Sequence, residues 1–135
     1  MTISTTILII VIAVVILVII SLASRSTPKG IDKEHFKHEW NDITGLFNDK
    51  KTQPLSIIHA DKLLDEALKC LGYYGNTMAE RLISAKQKLK HKDDVWQAHK
   101  LRNKIVHETA HQPSEKEIKT ALKGYYTTFK DLGVL

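Results

Sequence analysis

One cysteine, three prolines and six glycines in 135 residues remove several classes of solution at once. Cys70 has no intrachain partner, so no disulfide framework holds the fold, and the thiol reads as a small core residue. There is no glycine-rich phosphate loop, no G-x-S-x-G elbow for a nucleophilic serine, and no HExxH or cysteine cluster for zinc. His107 and His111 lie one helical turn apart, but two ligands are too few, and neither a metal nor a cofactor is expected. No segment sustains the apolar and polar alternation of a half-buried strand, and no internal repeat is visible.

Charge is missing altogether from the first 24 residues. Within them Ile7–Ile20 is unbroken Ile, Val, Leu and Ala, and with its Ser and Thr flanks the stretch reaches the roughly 20 residues a bilayer crossing requires. Residues 3–23 read as a transmembrane helix, within an anchor spanning 1–24. A cleaved signal peptide competes, because Ser21 and Ala23 form a small-residue cleavage site, yet the positive n-region is absent. No Lys or Arg precedes the helix, whereas Arg25, Lys29, Lys33 and Lys37 come after it. The positive-inside rule then leaves the N-terminus outside and the C-terminal domain cytoplasmic, in a single-pass membrane protein. The run has no small-xxx-small pattern, which gives no support to pairing of anchors within the bilayer.

Beyond Ser24 the chain is charged and reads as helical. Pro28 and Gly30 make residues 25–32 a juxtamembrane linker. From Lys33 to Asn48, Phe36, Trp40, Ile43 and Phe47 recur at four, three and four, one apolar helical stripe. Pro54 suits the first turn of a helix running to about Leu71, with Ile57, Ala60, Leu64, Ala67, Leu68 and Leu71 on its core face and Gly72 as its stop. Thr77 with Glu80 forms a capping box for a helix to about His91, and Asp93 or Asp94 caps the next. Ser114 with Glu117 opens the last helix, which buries Ile118, Ala121, Leu122, Tyr125 and Phe129 before Gly133. The expected fold is all-α: the N-terminal transmembrane helix and then, over 33–135, a compact four- to five-helix bundle.

The net charge of +5 belongs to the part beyond Ser24 and is concentrated. Arg81, Lys86, Lys88, Lys90, Lys92, Lys100, Arg102 and Lys104 face only Asp93 and Asp94 in 24 residues. Such a patch suits RNA or an anionic membrane surface, and equally a solvated face. Inside it, "HKLRNKIVHETAH" (99–111) gathers an Arg, an Asn and three His. At about 100° per residue, Val95, Ala98, Leu101 and Ile105 make the core face, and His99, Asn103 and His107 are assigned to the outward side with Trp96. An aromatic on that stripe suggests a surface covered by another protomer or a stacked base, the alternative being one exposed aromatic of no consequence. The pairs Tyr73–Tyr74 and Tyr125–Tyr126 read as half-buried packing at helix ends.

"RNKIVH", Arg102 to His107, resembles the Arg, Asn, three residues, His signature of the HEPN family (higher eukaryotes and prokaryotes nucleotide-binding domains), which are small helical bundles. The resemblance covers about 54–135, with Lys33–Asn48 as an added helix. It implies a metal-independent endoribonuclease whose composite site forms across a homodimer of the soluble bundle, with RNA as substrate and a protein inhibitor or antitoxin as partner. Other HEPN proteins are non-catalytic, so a tethered interaction and dimerisation module is the alternative. Carried over, Arg102, Asn103 and His107 are the catalytic positions: His107 exchanges a proton, Arg102 meets the phosphate, and Asn103 orients the imidazole or holds a phosphate oxygen. Asp61 and Asp65 are accessory candidates that would draw Arg102 toward the site, though Asp65 with Lys69 also reads as a surface pair. Trp96 and His99 complete the accessory set. Some toxin members have a Tyr two residues after the His, where this chain has Thr109, so regulation through that Tyr is not available.

Overall fold

The computed structural model describes residues 3–23 and 30–135; positions 25–29 of the expected linker lie outside the described residues. Those residues form six α-helices and no strand. The first, α1 (Ile3–Ala23), contains a 19-residue stretch, Ile3–Ser21, long and apolar enough to cross a membrane, with none of it buried against protein. At 1.5 Å per residue it spans about 28 Å, close to the thickness of a hydrocarbon core.

The bundle consists of α2 (Lys33–Gly45) with a 3-10 turn (Leu46–Asn48), α3 (Gln53–Cys70), α4 (Met78–Ala85), α5 (Lys92–His107) and α6 (Glu115–Asp131). The central helix is α3, which packs against each of the other four. Its apolar positions explain this: Ile57, Ala60, Leu63, Leu64, Ala67 and Leu68 are all buried, and they occupy more than one face of the helix. Phe36, Trp40 and Ile43 bring α2 onto it, and Ile118, Ala121, Tyr125 and Phe129 bring α6.

Ends are set by local chemistry. Asp32 caps α2 through the His35 amide at 3.1 Å, and Ser114 and Glu117 close a full capping box on α6. Gly72 (φ 81°) and Gly133 (φ 71°) adopt the left-handed conformation that turns the chain after α3 and α6, and Val134 then folds back into the core. Tight packing sets Gly124: a Cβ there would lie 2.9 Å from the Asp94 carbonyl oxygen, so α6 crosses the start of α5 with no room for a side chain.

Two boundaries differ from expectation. The helix opened by Thr77 stops at Ala85 instead of continuing to about His91. Beyond it the chain turns so that Leu89 enters the core while the Lys90 amide is taken by Asp131 at 2.9 Å. Neither Asp93 nor Asp94 caps α5; the N-cap is His91, without a side-chain bond, and both aspartates lie in the first turn, where the helix dipole favours negative charge.

Candidate functional site

The site is built around a carboxylate removed from water. Asp61 on α3 is 4% exposed, and a buried charge persists only where donors surround it. Two neighbouring helices supply them. From α6, the Tyr125 hydroxyl donates to Oδ1 at 2.9 Å. From α5, His99 Nδ1 lies 2.7 Å from the same oxygen, and Arg102 Nε stands 3.6 Å from Oδ2. An ionised carboxylate only accepts, so His99 carries a proton on Nδ1.

Orientation propagates from there along α5. Arg102 Nη1 donates to Asn103 Oδ1 at 3.0 Å, which turns the amide nitrogen of Asn103 the other way, 3.4 Å from His99 Nε2. A chain of contacts thus runs from guanidinium to amide to imidazole to carboxylate to phenol. Burial, with the charge and hydrogen bond of Asp61, pushes the Tyr125 phenol well above its ordinary value, so it stays a donor.

An open pocket of about 440 Å³ lies over this cluster, bordered by Asp61, Asp65, His99, Arg102, Asn103 and the start of α4 at Thr77. Its wall is braced by Arg81, which donates from Nε to Asp65 Oδ1 at 2.6 Å and from Nη1 to the Gly75 carbonyl. Asp65 also meets Lys69 at 2.8 Å. Burial opposes ionisation of Asp65, but the bonds from Arg81 and Lys69 outweigh it and hold the carboxyl below its usual value.

Several expectations change. His99 is not on an outward stripe but 9% exposed against Asp61. Helical geometry explains it: His99 falls only about 40° from Val95, at the flank of the core face, and α3 offers a buried acid there. Trp96 is half-buried, packed on the core and edge-on to the His99 ring, 6.1 Å between centroids. Arg81 leaves the solvated basic patch, being 8% exposed and committed to Asp65 and Gly75. Tyr125 is fully buried mid-bundle, while its neighbour Tyr126 is exposed and packs on Trp40. Asp65 is a shared partner of two cations and not a simple surface pair.

Arg102 and Asn103 therefore meet at the pocket with Asp61 and His99, and His107 is exposed at the last residue of α5, outside the pocket lining. The lysines Lys86, Lys88, Lys90, Lys92, Lys100 and Lys104 are exposed. Lys100 and Lys104 border a different depression, about 350 Å³, between α5 and α6. Tyr125 is absent from the candidates that the sequence motifs single out, although a phenol on the apolar stripe of α6 must find a polar partner and Asp61 stands at the edge of the facing stripe. Among the described residues, three ligand-type side chains lie within 4.8 Å of one another only at His38, Glu39 and Asp42, none of which lines this pocket.

Comparison with protein-family models, with curated proteins and with solved structures finds no match to this chain.

Proposed function

We propose that the chain is a membrane-tethered HEPN-like protein whose cytoplasmic bundle is a metal-independent endoribonuclease, working as a homodimer. The observation that carries the reading is the pairing of Arg102 with Asn103 at the mouth of an open pocket, backed by Asp61. A guanidinium held there offers a fixed fork of donors to a phosphodiester as negative charge builds on it. His107, one turn beyond Asn103 and open to solvent, is available to move a proton between water or ribose and the leaving oxygen. Exposed lysines along and before α5 supply the sequence-independent attraction that RNA requires. The basic residues beyond α1 support an orientation with the bundle in the cytoplasm.

The test uses the full chain in lipid nanodiscs, incubated with RNA in EDTA. Native protein is expected to leave 2′,3′-cyclic phosphate and 5′-hydroxyl ends, with the rate about 100-fold lower in His107→Ala and in Arg102→Ala. A single 2′-deoxy substitution at the cut site must block cleavage there. Inactivity of the native chain at high concentration removes the ribonuclease reading.

The second reading, a non-catalytic anchored HEPN-like dimerisation module, draws on one observation: Arg102 is already engaged by Asn103 and faces Asp61. It requires that His107→Gln leave the module's self-association intact, whereas the enzyme loses activity with the same change.

A further inference from the structure

We infer that His99, oriented by Asp61, is a second proton-transfer residue of this site, with its Nε2 serving the ribose 2′-hydroxyl of a substrate seated in the pocket. The inference rests on the ribonuclease reading and deepens it by naming the base and the place where the ribose sits.

The geometry is that of an activated imidazole. Asp61 Oδ1 at 2.7 Å fixes the proton on Nδ1 and leaves the lone pair on Nε2. His99 and Asn103 both line the pocket, and Asn103 Nδ2 approaches that nitrogen at 3.4 Å, the loose end of hydrogen-bond range and readily exchanged for a hydroxyl. Both members of the dyad are shielded, Asp61 at 4% and His99 at 9% exposed, so the carboxylate can support the imidazolium that forms without competition from bulk water.

Every element around His99 fits this assignment. From α3 come Asp61, Lys62 and Asp65, the last already neutralised by Arg81 and Lys69. Arg102 and Asn103 come from α5 itself, and Tyr125 of α6 shares the Asp61 oxygen. The start of α4 adds Thr77, Met78 and Ala79, none of which ionises near neutrality. The remaining cations, Arg102 and Lys62, suit a phosphate beside the ribose.

In the reaction the 2′-hydroxyl gives its proton to Nε2 and its oxygen forms a bond to phosphorus. The P–O5′ bond breaks, its electron pair goes to O5′, and O5′ takes a proton from a protonated imidazole. His107 lies eight positions beyond His99, about 12 Å along the α5 axis, and outside the pocket lining. In the proposed homodimer the acid is His107 of the second copy.

The experiment again uses the full chain in nanodiscs. Long-range ¹H–¹⁵N NMR of the native imidazoles at pH 8 is expected to show His99 protonated at Nδ1 and bare at Nε2, with uridine 3′-monophosphate moving the Nε2 resonance. RNA cleavage in EDTA should fall about 100-fold in His99→Gln. Asp61→Asn should lower kcat with little change in KM, because the imidazolium that forms in the reaction loses its counter-charge. The NMR arm needs no variant, so a substitution that fails to fold does not blunt the test. If the native chain cleaves but the nucleotide leaves Nε2 unmoved, or His99→Gln cleaves within about threefold of native, His99 is scaffold and only this inference falls. If the native chain does not cleave and the nucleotide has no effect, both readings fall together.

Discussion

Asp61→Asn removes one charge, keeps the volume, and asks what the buried cluster contributes. Asparagine retains an acceptor oxygen, so the contacts from Tyr125 at 2.9 Å and His99 at 2.7 Å survive as neutral bonds. Losing the charge assistance costs about 1 kcal/mol for each of the two. Arg102, 3.6 Å away with its side chain 32% exposed, loses a counter-charge in a partly screened position; that adds about 0.5 kcal/mol. The sum is about 2.5 kcal/mol, and with a urea slope near 1.5 kcal/mol per molar the unfolding midpoint should fall by about 1.7 M. Asp61→Ala, which orphans both donors, should cost about 3–5 kcal/mol. Tryptophan fluorescence is the right probe, since Trp40 and Trp96 lie in the bundle and α1 has no tryptophan; the signal from full-length protein in detergent reports the bundle alone. A midpoint within about 0.3 M of native would refute the reasoning, for it would mean the charge of the buried carboxylate contributes nothing to stability.

The same contacts set other outcomes. Tyr125 is held well above its ordinary 10.0, so its contribution is complete below pH 10 and is lost as pH rises beyond it. Unfolding titrations should show an alkaline limb that Tyr125→Phe flattens, and an unchanged limb would exclude the phenol. Asp65 is held below 3.8, so its contribution is complete above that value and is lost as pH falls through the lower folded value. Asp65→Asn should therefore weaken the neutral protein and soften its acid unfolding, a steeper acid transition being the contrary result. Gly124→Ala gains about 1 kcal/mol of helix propensity but forces the α5 and α6 backbones apart, about 1–3 kcal/mol. With Asp94 O only 2.9 Å from the new Cβ, a net loss is expected, and a raised melting temperature would count against the close approach. Ser114→Ala dissolves the α6 capping box and should cost about 1 kcal/mol by thermal melt; no change would mean that water caps the helix as well.

Helices were legible wherever a stripe and a stop agreed. The four-three spacing of Phe36, Trp40 and Ile43, the capping box at Ser114 and the glycines at 72 and 133 each name a local event that the structure contains, whereas Phe47, the last member of that stripe, falls beyond α2 in the 3-10 turn. The end of α4 was not legible, because it is decided at long range: Leu89 finds core space, and Asp131, 41 residues on, takes the Lys90 amide. The polar cluster was half legible. Arg102 and Asn103 stood out as neighbours, and Asp61 as an acid at the edge of an apolar face. A helical projection cannot tell which flank of α5 meets α3, so it puts His99 in solvent although the imidazole sits beside the buried acid. Arg81 misleads for a related reason, since counting charge along the chain cannot see that Asp65 lies across from it.

The apolar stripes of α3, α5 and α6 are degenerate in register: Ala, Leu and Ile recur every three or four residues, so a slide of one turn would still bury carbon against carbon. The Asp61 cluster is not degenerate. It takes one group from α3, one from α6 and two from α5, and a slide of about 5.4 Å would leave a buried carboxylate without its imidazole and phenol. Gly124 sharpens the constraint, because α6 reaches the Asp94 carbonyl only where it has no side chain, and the next residue is Tyr125. The contact that seats α6 on α5 is thus one residue from the contact that holds Asp61. Alignment of the bundle and the direction of His99 Nε2 and the Arg102 guanidinium are consequently set by the same few bonds. An apolar replacement of the cluster that left the fold equally stable would still release those two groups from their orientation over the pocket.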